Sequence, residues 1–369
     1  MRASLHPSLR FASLALALAA PIAAQTTHLV GPGGFATIGD ALTVAAPGDV
    51  VLVQAGSYPG FFVTQGVTVR ALGLVQVATI SCTLSPGANL NLVDLRILGQ
   101  VIVNGGDVAL DHCRIDHLSF FGGSPGVQAS QASVRLLGCT VNVGSTVSAA
   151  LVATDCDVHV VDSDLTLLGV TVAVPPPAVE LTTSRFHASH CTLASVGSGT
   201  LGGSGVVAGA GSSVWLSDTA IENGSNSCPV RGGASFRIDR CTANATSASG
   251  CGTPTAGSPQ LGITQSAPLQ SGAPLTLEFA GAPLQFVAIH ASTGRATTPV
   301  PGLFEQPLAL DLAGTWLVDI VAIDAFGVAA RTWNMPAGTF VDTPLWLQAI
   351  TVEPTLPWQV SSVVGGIVR

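Results

Sequence analysis

Eight residues at 108–115, VALDHCRI, carry the pattern that organises this chain: apolar, free, apolar, free, turn residue, small residue, free, apolar. The pattern returns at 90–97 (LNLVDLRI), 134–141 (VRLLGCTV), 158–165 (VHVVDSDL), 186–193 (FHASHCTL), 214–221 (VWLSDTAI) and 236–243 (FRIDRCTA), with starts 18 to 28 residues apart. A constant strand motif with elastic spacing predicts stacked coils, each holding its core strand in register while its outward loops vary. Alternation over the first four positions gives a strand with one buried face, so positions one, three, six and eight point inward and position two outward. Seven coils at about 4.8 Å each make a core roughly 30 Å long. Each buried aliphatic contributes on the order of 1.5–3 kcal/mol, and no coil can bury its face alone.

The fifth position reads Asp94, His112, Gly138, Asp162, His190, Asp218 and Arg240. Gly, Asp and His tolerate positive φ well, which predicts a left-handed corner there, with Arg240 as the exception. The sixth reads Leu95, Cys113, Cys139, Ser163, Cys191, Thr219 and Cys241, mostly small, as a crowded inner corner requires.

These repeats resemble those of the right-handed parallel β-helix proteins, the pectin-lyase-like superfamily, over about residues 28–252. The resemblance implies an all-β chain: a right-handed parallel β-helix with an N-terminal capping helix. The hand comes from the resemblance and from the usual hand of parallel crossovers. That superfamily holds lyases, hydrolases, tailspikes, adhesins and binding proteins, so it implies no single activity.

Outside the repeats, Thr37 and Asp40 signal a short capped helix running to about residue 46, ended by Pro47-Gly48, at the solenoid's open N-terminal end. Residues 253–272 read as a linker. Beyond it, apolar or alternating runs at 275–279, 286–291, 308–312, 316–323, 328–333 and 345–352 predict a small C-terminal antiparallel β-sandwich over 273–369, with residues 324–327 as a hairpin turn. At the N-terminus, Arg2 and Arg10 flank a short polar lead that is followed by an apolar run at 11–24, which reads as a secretory signal over 1–24, leaving 25–252 as the solenoid domain. The expected setting is therefore secreted or at the cell surface, with no membrane span.

Charged residues are only 9% of the chain, all 13 basic ones are arginine, and the net charge is −8, so the basic footprint of a nucleic-acid binder is missing. Cys113, Cys139, Cys191 and Cys241 read as core thiols, and Cys82 and Cys156 as unpaired. Cys228 and Cys251 lie 14 and 15 residues after the starts of adjacent coils, which predicts a disulfide between them.

The best candidate site is the outward column at position two: Arg135, His159, His187, Trp215 and Arg237. A flat exposed strip of Trp, His and Arg suits an extracellular polysaccharide, with the ring stacking on sugar and arginine pairing with carboxylate or sulfate. Asp155, Asp157 and Asp164, near the turn residue Asp162, are the one dense acidic group and the only candidates for calcium; no other cofactor is expected. Asp111-His112 faintly resembles the aspartate–histidine pair of one pectate lyase family, without that family's surrounding tryptophan and arginine motif. The reading that results is a noncatalytic β-helix protein binding an extracellular, possibly acidic, polysaccharide or another cell-surface component. A polysaccharide lyase or glycoside hydrolase, and a structural or adhesive surface protein, stand as alternatives.

Overall fold

The computed structural model describes residues 25–118, 123–144, 148–170, 176–197, 203–223, 230–239, 241–243, 261–265, 269–294 and most of 303–368. The segment 1–24, Arg240, Cys228 and Cys251 lie outside the described residues, and with them the expected export signal and disulfide.

The chain is all-β, a parallel β-solenoid followed by an antiparallel region. A typical coil has three legs, for example Val101–Asn104, Asp107–Asp111 and Arg114–His117. First legs stack into an 8-stranded sheet, and second and third legs belong to a 16-stranded sheet that bends at the corner between them. Register is unbroken through all seven repeats: Leu90, Val108, Val134, Val158, Phe186, Val214 and Phe236 pair in one file. From Leu90 through Val214 the file is buried, as are the third, sixth and eighth positions of the same six coils.

The predicted corner is left-handed at all six of its described positions, with φ from 45° at Asp218 to 59° at Asp94 and Gly138. Position six has a second requirement besides size. Cys113, Cys139 and Thr219 each donate to the position-three carbonyl of the preceding coil at 3.2–3.5 Å. Ser163 and Cys191 reach the same carbonyl at 3.3 Å while sharing their proton with a closer carbonyl of their own coil, at 2.7 and 3.0 Å. Small side chains that can also donate a hydrogen bond thus tie successive coils together. Burial pushes the Cys191 thiol up to about 12 and raises Cys113 as well, so these thiols stay protonated donors.

Each coil also turns at a second left-handed corner, between first and second legs: Gly87, Gly105, Gln131, Asp155, Thr183 and Gly211. Thr183 donates to Asp155 of the coil before, and small residues follow each corner, with Ser184 Oγ accepting from the Cys156 backbone N–H at 3.1 Å. Cys156 is therefore a corner residue of the same kind as Cys139.

The helix at the open end spans Ile38–Val44, shorter than expected, with Thr37 and Asp40 closing a capping box. Buried Asp49 fastens it to the first coil by accepting from the backbone N–H groups of Ala46 and Thr26, at 2.8 and 2.9 Å. Among the described residues, no helix is long and apolar enough to cross a membrane.

The C-terminal region packs a three-stranded sheet (Gly262–Gln265, Pro274–Ala280, Val328–Asn334) on a four-stranded one (Trp316–Ala322, Phe286–Ser292, Pro344–Val352, Val360–Ile367). Leu277 and Phe279 from the first and Val287, Ile289 and Leu347 from the second fill its core. Three details differ from expectation. Strand Gly262–Gln265 lies inside the stretch read as linker. The turn at 324–327 is present, but its flanking strands ladder into opposite sheets, so it is a sheet-switching corner and not a hairpin. In the run 308–312, Leu308 and Leu310 act as packing residues, seated against Ile350 and Trp346, and no strand forms among its described residues.

Because the corner demands positive φ, Asp162→Asn should be tolerated while Asp162→Val should cost about 1–2 kcal/mol more. Denaturant unfolding of the two variants measures this, and equal midpoints would contradict it.

Candidate functional site

Parallel pairing places Arg135, His159, His187, Trp215 and Arg237 in one file, one residue per coil. The rings touch: His159 and His187 have centroids 4.9 Å apart, and His187 and Trp215 5.3 Å, both edge to face. The expectation that this file is an open strip is corrected by the structure. Arg135, His159 and Trp215 are 1%, 2% and 6% exposed, and His187 is buried as well.

The C-terminal sandwich is what covers them. Arg135 lies with its guanidinium 4.5 Å over the Trp346 ring and donates through Nε to the Val363 carbonyl at 3.2 Å. His187 Nδ1 faces the Ile263 carbonyl at 3.5 Å. Gly262 rests on the Trp215 ring so closely that a Cβ there would come within 2.6 Å, which is why glycine occupies this point of the sandwich. A position that faces out from a solenoid's own core becomes interior once another part of the chain settles on that face. Wide aromatic surface and few charges make this file a favourable place for such docking.

Beneath the sandwich, Asp157 and Arg185 form an ion pair at 3.2 Å, and His159 Nε2 lies 3.5 Å from the other Asp157 oxygen. Burial works against the Asp157 charge, but Arg185 and His159 outweigh it and hold the carboxyl well below the usual carboxylate range. Burial pulls His187 down to about 3 and lowers His159 as well, so both imidazoles are neutral at ordinary pH.

The carboxylates considered for calcium do not converge. Asp157 is engaged by Arg185, Asp155 sits at the second corner accepting from Thr183, and Asp164 opens a third leg beyond the first corner. Calcium needs several oxygens around one point, and this set does not supply them.

Two other arrangements carry chemistry. At the corner, His112 is half-exposed and its Nδ1 lies 2.6 Å from an oxygen of buried Asp111. The carboxylate can only accept, so it fixes the tautomer with the hydrogen on Nδ1 and turns Nε2 away from it. Gly138, next along the column, lets that ring pack closely against the backbone, since a Cβ there would stand 3.1 Å from Nε2.

On the sandwich, Trp316 and Phe340 lie nearly parallel, 11° between planes and 6.2 Å between centroids, and are 39% and 40% exposed. Phe340 holds a left-handed backbone at φ 59°, which for a bulky residue costs about 1–3 kcal/mol. Sequence reasoning placed Trp316 in a strand but missed the pair. Nothing in the run TFVDT marks Phe340 as a turn residue, and the two rings are 24 residues apart in the chain.

No protein-family model matches the chain, and no curated protein matches it. Among solved structures, a similar one is a crystal structure from Parabacteroides merdae, provisionally assigned as a glycosyl hydrolase. It is 10% identical, covers 53% of this chain and 83% of its own, and superposes with a TM-score of 0.28, a degree of likeness that assigns neither family nor activity.

The buried histidines set a pH dependence. A histidine whose folded value is depressed favours the folded state fully above its unfolded value of about 6.5, and that contribution is lost as pH falls toward the folded value. For His187 this window runs from 6.5 down to about 3. Melting temperature should therefore fall steadily as pH drops below 6.5, and His187→Phe should make the fall shallower. A melting temperature unchanged between neutral pH and pH 4 would contradict the neutral, buried state of these rings.

Proposed function

We propose that the chain is a noncatalytic, polysaccharide-binding protein of the cell exterior. In this reading the C-terminal sandwich carries the sugar contact and the solenoid is its stiff support. The observation behind it is the Trp316–Phe340 pair: two near-parallel rings left open to solvent, one held there against an unfavourable backbone conformation. Flat exposed aromatic surface suits the C–H face of a pyranose, and strain kept at an exposed ring points to use of that ring. Arg135, His159, His187 and Trp215 are buried, so in this reading sugar is selected by stacking more than by charge. Location outside the cell rests on the signal-like composition of residues 11–24.

The Asp111–His112 pair favours a second reading, an acid–base catalyst acting on an acidic polysaccharide. Incubation with uronate polymers, followed for unsaturated products and reducing ends, separates the two. The noncatalytic reading expects none from the wild-type chain. Product that disappears in His112→Asn, a change the corner tolerates, would establish the second.

For the leading reading, retention on insoluble polysaccharides is the direct assay. Trp316→Ala and Phe340→Ala should each weaken retention about tenfold, the equivalent of roughly 1.4 kcal/mol for one lost stacking surface, with little effect of salt. Retention unchanged in both variants would overturn it.

A further inference from the structure

His190 and Asp218 occupy the fifth repeat position in consecutive coils, and both are left-handed, with φ 54° and 45°. Their neighbours Ser189 and Ser217 pair directly, so the two side chains leave the solenoid one above the other, with His190 Nε2 and Asp218 Oδ2 4.0 Å apart. A third group comes from the other part of the molecule. Glu278, on strand Pro274–Ala280 of the sandwich, brings a carboxylate oxygen to the same place, and the three potential ligand atoms all lie within 4.8 Å of one another. His190 and Asp218 line a shallow depression together with Thr219, Ala220 and Thr242. Buried Cys191 lies beside it, but its protonated thiol faces the Ser189 and Val160 carbonyls at 3.0 and 3.3 Å, so it is not counted as a fourth donor.

We propose that His190, Asp218 and Glu278 hold a divalent first-row transition-metal ion that pins the C-terminal sandwich to the corner of the solenoid. One imidazole and two carboxylates form a borderline donor set. It suits zinc and its neighbours, whereas calcium and magnesium are bound by oxygen ligands. Metal–ligand distances of about 2.0–2.2 Å require donor atoms within roughly 4 Å of one another. Binding an ion would draw the three side chains together from their present spacing of up to 4.8 Å, with the backbones held by the corner and the sandwich strand. Two ligands belong to the solenoid and one to the sandwich, so ion binding and docking support each other thermodynamically.

The test uses the full chain, stripped with chelator and titrated with zinc chloride by calorimetry, with melting curves at each point. The wild-type chain should bind zinc and melt at a higher temperature with it. Glu278→Gln and Asp218→Asn preserve size and, at the corner, tolerance of positive φ. Both should fold, weaken binding about tenfold or more, and lose the rise in melting temperature, since even groups that only orient ligands cost that much when removed. Any thiol site elsewhere survives in both variants, so the difference from wild type isolates this one. Cobalt substitution gives a second readout: visible bands without thiolate charge transfer, absent from Glu278→Gln. A wild-type chain that takes up neither ion, or variants that bind and melt as wild type does, would overturn the proposal.

Discussion

In-register pairing of parallel strands is the constraint on which the molecule depends. Once Val108 sits over Leu90 and Val134 over Val108, every other position of the repeat must also form a file. A buried file has to be apolar in every coil, and a corner file has to be left-handed in every coil. The donor at position six belongs to the same logic, since a thiol or hydroxyl in one coil always finds the same carbonyl in the coil before it. Cysteine is frequent there because it is small, prefers burial and can still donate a weak hydrogen bond.

The same rule makes outward residues collective. One arginine, two histidines and a tryptophan in a single file form a broad surface, and in this chain that surface became an internal interface. The sandwich meets it with the Trp346 ring, backbone carbonyls from Ile263 and Val363, and a glycine where the fit is closest. Burying this polar file has consequences: neutral histidines, with a half-buried Asp157–Arg185 ion pair beside them. Chemistry that would otherwise lie along the flat face moves to its margins, at the corner column and on the far part of the sandwich.

Much of the solenoid was legible because a seven-fold repeat averages out accidents. Positions one, three, six and eight are inward as their composition implies, the Asp, His and Gly corner is left-handed, and Thr37 with Asp40 caps the terminal helix. The second corner escaped notice because Gln131 and Thr183 are not residues that advertise positive φ; the stack imposes it on them. The covering of the Arg135–Trp215 file was illegible for a different reason. Strand periodicity reports which side of a strand is apolar, and it carries nothing about which separate part of the chain will lie on the polar side. Gly262 reads as linker in a run of Gly, Ser and Pro, and only the ring beneath it explains its place. His190, Asp218 and Glu278 meet across 88 residues of sequence, and the solenoid repeat could align only the first two.

The central claim is that the second-leg face of the solenoid is interior while the Trp316 face of the sandwich is open. Hydroxyl-radical labelling of the native chain, read residue by residue by mass spectrometry, tests it without any substitution. Trp215 and Trp346 should be protected until the protein unfolds, while Trp316 and Phe340 label at once. Labelling of Trp215 in the native protein as fast as that of Trp316 would contradict the docking of the sandwich on the solenoid and the buried state of the file beneath it.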